Sequence, residues 1–168
     1  MASAAPTTAE VRSILMRANR LLGASLVDAN LITVDQLENA NEKLLELIAT
    51  APPRQCTLLG VLAYDLKVLT ERDVLQYCMD EHHIGLIDLK VYDGADDLRA
   101  TVNQPACWAT WTLPFDREED FTLIATAYYL SPAVRAFWEK QYPGPILWYG
   151  TTLESIAEAL ERLPAPKS

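Results

Sequence analysis

Residues 21–44 and 58–81 repeat one pattern at an offset of 37 positions, with Leu21/Leu58, Leu22/Leu59, Gly23/Gly60, Asp28/Asp65 and Thr33/Thr70 as identical pairs. A fixed period of this size marks duplication of a supersecondary unit, which constrains the fold more than any single motif. Each unit reads as helix, tight link, helix. Leu21 to Ala29 carries apolar residues at helical spacing, and Gly23 offers a place for close packing. Asn30 stands at the helix end, where Asn tolerates the left-handed conformation. Thr33 with Gln36 predicts a capping box for a second helix, and Thr70 with Asp73 repeats it in the second unit. Leu37, Ala40, Leu44, Leu47 and Ile48 form the first unit's buried stripe, and Val74, Tyr77, Cys78 and Glu81 the second's. Residues 49–54, with two adjacent prolines, read as a linker between the units.

The second half changes period. Leu86 to Leu89 reads as a short strand or an extended entry segment, and Ala95 to Thr101 as a short helix. Trp108 to Leu113, Phe121 to Tyr128 and Pro145 to Tyr149 are strand candidates. Asp116 to Asp120 joins the first two as a hairpin turn. Ser131-Pro132 starts a helix running to about Gln141. Thr151 with Glu154 predicts the cap of a last helix, with Leu153, Ile156, Leu160 and Leu163 as its stripe. The expected fold class is α+β. A helical tandem-repeat subdomain over 1–88 precedes a three-stranded sheet with two helices over 89–168.

Half of the 168 residues are apolar, enough for a substantial core. The net charge of −9 argues against a phosphate-tracking nucleic-acid surface and against an anionic membrane surface. No apolar run reaches the ~20 residues that span a bilayer. Three scattered cysteines suit free thiols in a cytoplasmic protein. No cofactor and no metal are expected. Cys78 and His82 share a helical face, but without further ligands they read as helix residues. Glu118, Glu119 and Asp120 read as a solvated turn, and no nucleophile stands beside a base. The phosphate-cradling patterns Gly-x-x-x-x-Gly-Lys-Ser/Thr and Gly-x-Gly-x-x-Gly do not occur. The four tryptophans read as core and sheet-face residues, because no basic residues interleave them. Thr8 to Arg17 is amphipathic, with Val11, Ile14 and Leu15 on one side. It either caps the chain's own core, the commoner use of a short amphipathic helix, or docks on a partner, which the surplus of acid predicts to carry basic residues.

Leu22-Gly23-x-x-Leu26-Val27-x-x-Asn30-Leu31-Ile32, followed by Leu37 and Ala40, resembles the N-terminal domain of the type II secretion and type IV pilus assembly ATPases. Gly85-Leu-Ile-Asp-Leu89 resembles that family's segment ending in Val-Asp-Leu. Thr112-Leu-Pro-Phe115 resembles its Ile-Pro-Leu strand, and Leu123 to Pro132 its strand followed by Asp-Pro and a helix. The resemblance covers about residues 10–163. It implies a non-catalytic module that docks on an inner-membrane platform or motor component of the machine, peripheral to the membrane through that protein. The alternative it implies is a cyclic di-GMP sensor. The nucleotide-binding positions carried over are Arg20, Leu22, Gly23, Leu26, Asn30, Leu59, Gly60 and Ala63. The family's polar readers depart here. Leu21 and Leu58 stand for Arg, Asn30 and Lys67 for the second Gly, and Leu44 and Glu81 for the closing Gln. Loss of the arginines removes a planar charged fork for guanine and phosphate.

Overall fold

The structure, a computed structural model, describes residues 7–51, 56–91 and 96–163. Helix α1 spans Thr8–Asp28 and α2 spans Val34–Thr50. A short turn, α3 (Leu58–Gly60), runs into a π-helical turn over Val61–Asp65, and α4 covers Glu71–His82. Strand β1 (Gly85–Leu86), a 3-10 turn (Leu89–Val91), α5 (Asp96–Thr101) and α6 (Gln104–Thr110) follow. The chain closes with β2 (Thr112–Glu118), β3 (Phe121–Thr126), α7 (Pro132–Gln141), β4 (Ile146–Gly150) and α8 (Leu153–Glu161).

Both predicted capping boxes form. The Thr33 hydroxyl accepts from the Gln36 N–H at 3.1 Å while the Gln36 side chain accepts from the Thr33 N–H at 2.9 Å. Thr70 and Asp73 repeat the exchange at 3.1 Å in each direction. Each box satisfies two N–H groups that the helix itself leaves open. The links before them match as well. Asn30 (φ 61°) and Lys67 (φ 53°), equivalent in the repeat, are both left-handed. The units differ in winding, because the first ends in regular α-helix and the second in the π-turn.

The α+β class holds, with one more strand than expected. The sheet is four-stranded in the order β1-β4-β3-β2, with β2 antiparallel to β3 and the other neighbours parallel. Gly85 and Leu86 gain a place in it because Tyr149 and Gly150 on β4 present a free edge. Trp108 to Thr110 is helical rather than strand. Asn103 caps α6, and Trp111 (φ 50°) stops it in the left-handed region, so β2 starts only at Thr112. The last helix is capped by Thr152, which accepts from the Ser155 N–H at 3.1 Å, one residue beyond Thr151. The expected hairpin turn is confined to Glu119 and Asp120, since Asp116 to Glu118 remain in β2. Residues 52–54 of the predicted linker, and Ala95 of the predicted short helix, lie outside the described residues.

The amphipathic first segment and Leu21 to Ala29 form one helix. Ile14, Leu15, Ala18, Leu22 and Leu26 enter a single cluster that also holds Leu58, Leu62, Val74, Ile124, Tyr128, Trp138 and Ile156. This cluster has members on both sides of position 88, and α1 packs against α6 and α7.

Candidate functional site

The tandem unit places its carried-over positions in two environments. Leu22, Leu26 and Leu59 have 0–2 % of their surface exposed, and Gly23 is buried beside them. Gly60 and Ala63 are half-buried, while Arg20 and Asn30 face solvent. The reader positions divide likewise. Leu58 and Leu44 are core residues, so no charged group could stand there without desolvation, whereas Lys67 and Glu81 are exposed. What the repeat brings together is an apolar seam. A Cβ on Gly23 would lie 2.5 Å from Leu37 Cδ1 and 3.1 Å from Leu58 Cδ2. Gly60 has other neighbours, with Thr57 Cγ2 at 2.7 Å and Leu153 Cδ1 at 3.7 Å, so the two glycines pack differently.

Of the candidate docking residues, Ile14 and Leu15 are core, at 3 % and 7 % exposure, because α1 turns that stripe onto the rest of the molecule. Val11 is half-buried against the same cluster. Together with Leu15, Met16, Ile48, Ala51 and Cys56 it lines an open groove of about 570 Å³. Cys78 is buried and its thiol is pushed up to about 12 by desolvation, while His82 is exposed and lies edge-on to Tyr129. Glu118, Glu119 and Asp120 are exposed, with Glu119 left-handed at φ 55°. Trp111 and Trp138 are buried and Trp108 and Trp148 half-buried. Among the described residues no helix is long and apolar enough to cross a membrane.

Two polar constellations escaped the sequence reading. The first is centred on Asn19, 2 % exposed inside α1. Its Oδ1 accepts from the Leu58 N–H at 3.0 Å and from the Tyr128 hydroxyl at 2.7 Å, and its Nδ2 donates to the Leu15 carbonyl at 2.9 Å. The Tyr128 oxygen also meets Thr57 Oγ1 at 2.6 Å, and nearby Ser131 donates to the Ala18 carbonyl at 2.8 Å. Burial holds the Tyr128 hydroxyl well above its ordinary pKa, so it stays a neutral donor. The second is Glu71, 8 % exposed at the start of α4. Its carboxylate accepts from the Tyr64 hydroxyl and, at 2.6 Å, from the N–H of Leu153 at the start of α8. The hydrogen bond to Glu71, with that carboxylate's charge behind it, pushes the pKa of Tyr64, itself 60 % exposed, up to about 12. Both constellations tie the second repeat unit to distant parts of the chain. Asn19, a polar residue on the buried stripe of α1, was the one local sign of them.

No family model and no curated protein matches the sequence. Solved structures do share its fold. The N-terminal domain of XpsE matches over 96 % of this chain and all of that one, at a TM-score of 0.55 and 15 % identity. MshE with cdg matches over 85 % of this chain and 98 % of that one, at 0.54 and 19 % identity. The fold is therefore that of the N-terminal domains which the repeat and the Leu123 to Pro132 segment resemble.

Proposed function

We propose, from the fold shared with the N-terminal domains of XpsE and MshE, that this chain is a non-catalytic module of a type II secretion or type IV pilus machine. It docks on an inner-membrane platform or motor component. The observation that carries this reading is the fate of the repeat. Its caps, left-handed links and apolar seam persist, while Leu58 and Leu44 are sunk in the core where the family pattern has polar readers. A duplicated unit that keeps its scaffold without its charged forks serves packing and presentation. The missing glycine-rich phosphate loop supports a module without ATP hydrolysis of its own.

The test is calorimetry of the purified chain against the cytoplasmic domain of a platform component encoded beside it. Saturable one-to-one binding is expected, and heat indistinguishable from dilution would overturn the reading. The second reading, a cyclic di-GMP sensor, is favoured by the similarity to MshE solved with cdg. Titration with cyclic di-GMP is expected to give no binding tighter than about 1 μM, which corresponds to about −8 kcal/mol. A tighter constant would replace the first reading by the second.

A further inference from the structure

Where α4, the link from β3 to α7, the first turn of α7, and β4 meet, five side chains form a partly exposed patch. Tyr77 and His82 lie 5.9 Å apart between ring centroids, His82 and Tyr129 5.4 Å, and Tyr129 and Trp148 6.1 Å. The Arg135 guanidinium sits over the Tyr129 ring at 4.9 Å. His82 is exposed and the other four are half-buried. Tyrosine, tryptophan and arginine are enriched among the residues that dominate binding energy at protein interfaces, the rings because they bury large area with few rotatable bonds and arginine because its planar fork makes several directed hydrogen bonds.

Arg135 supplies the second observation. Its Nε is shut off from solvent and has no hydrogen-bond partner. The chain has 23 carboxylate side chains against 14 cations, yet among the described residues none pairs with this guanidinium. With Nε sealed off, a carboxylate arriving from outside would meet the terminal Nη groups of this half-buried guanidinium, which still offer a planar pair of donors.

We infer that this patch is the docking site for a protein partner, and that the partner brings one carboxylate to Arg135 within an apolar or aromatic segment. The inference rests on the docking reading above and locates its contact. Charge complementarity selects the carboxylate. The net charge of −9 selects a single acid over an acidic run, which the rest of the surface would repel. Ring geometry disfavours a nucleotide. Successive rings are tilted by 60–70°, and Arg135 already covers the Tyr129 face, so no parallel pair is open to sandwich a base.

The test uses the full chain and two probes. A displayed library of random dodecapeptides is selected on the parent and on Arg135→Gln and Trp148→Ala. Peptides enriched on the parent should carry one Asp or Glu flanked by apolar residues. They should bind Arg135→Gln about tenfold more weakly, the loss of one charge-assisted contact. Arg135→Lys should not restore them fully, since a lysine lacks the planar fork. Circular dichroism confirms that each variant is folded, and a variant that unfolds is replaced by Tyr129→Leu. Enriched peptides without an acid, or equal binding to Arg135→Gln, would overturn the inference. So would cyclic di-GMP binding that Arg135→Gln abolishes. The second probe is the platform domain. If it binds parent and Arg135→Gln alike, the location is wrong and the docking reading stands. If it binds neither while the peptides behave as expected, the patch stands and the docking reading falls.

Discussion

Lys67 holds a left-handed backbone (φ 53°) that a β-carbon disfavours, and Asn30 holds the same conformation in the first unit at φ 61°. Asn tolerates this region better than Lys, so relief by glycine should be larger in the second unit. Lys67→Gly is expected to raise unfolding stability by about 0.5–1 kcal/mol and Asn30→Gly by less, read from urea midpoints. A destabilised Lys67→Gly would show that the side chain has a partner role the backbone strain conceals. Gly23→Val should cost about 1–3 kcal/mol by overpacking, since even its first side-chain atom meets Leu37 Cδ1 at 2.5 Å. Gly60→Val acts differently, by pushing aside the Thr57 side chain that caps its own turn. The Tyr64 hydroxyl gives a pH signature. Its folded pKa is raised from 10.0 to about 12, first by the hydrogen bond to Glu71. The protonated form is the one the fold favours, so its contribution is complete below pH 10 and is lost as pH rises through about 12. Tyr64→Phe should flatten that part of the alkaline stability profile. An unchanged profile would mean that the contact does not persist in solution.

Helices whose ends are set by neighbours three residues away were legible in the sequence, and the caps show why. Thr33 with Gln36 and Thr70 with Asp73 satisfy each other within one turn, so their signal is local. Thr33→Ala and Thr70→Ala should each cost about 1 kcal/mol, checked by thermal or urea unfolding. A negligible cost at Thr70 would show that α4 is held by packing alone. The misread segment at Trp108 has a physical cause. Aromatic and β-branched residues there suit a strand, but Asn103 caps a helix whose proline sits in its first turn, and Trp111 ends it in a conformation rare for a bulky residue. Tertiary packing overrode propensity. Strand β1 was similarly half-legible, because two residues become a strand only when β4 lies beside them. The one-residue shift from Thr151 to Thr152 arises where Thr151 instead donates its N–H to the Thr126 carbonyl at 3.1 Å.

At the scale of the molecule, the amphipathic start of α1 could cap the core or dock elsewhere, and it caps the core: Ile14 and Leu15 belong to the cluster that reaches Leu160. Deleting residues 1–17 removes at least two buried side chains, each worth about 1.5–3 kcal/mol, from a fold of ordinary marginal stability. Loss of the cooperative melting transition is expected. A truncated chain that melts like the parent would put α1's first half outside the core. The buried network around Asn19 could not be read at all, since its partners are scattered over positions 15 to 128 and only folding brings them together. That scatter reaches beyond stability into time. The Asn19–Tyr128 hydrogen bond spans 109 positions, and ordering so long a loop before other contacts exist is entropically unfavourable. It should therefore be fastened after the rate-limiting step of folding. Asn19→Ala is expected to accelerate unfolding while leaving the refolding rate nearly unchanged, as stopped-flow chevrons would show. A matching slowdown of refolding would place this contact in the folding nucleus instead. On the expected outcome, one amide in the middle of α1 sets how long the native state lasts and hardly affects how quickly it is reached.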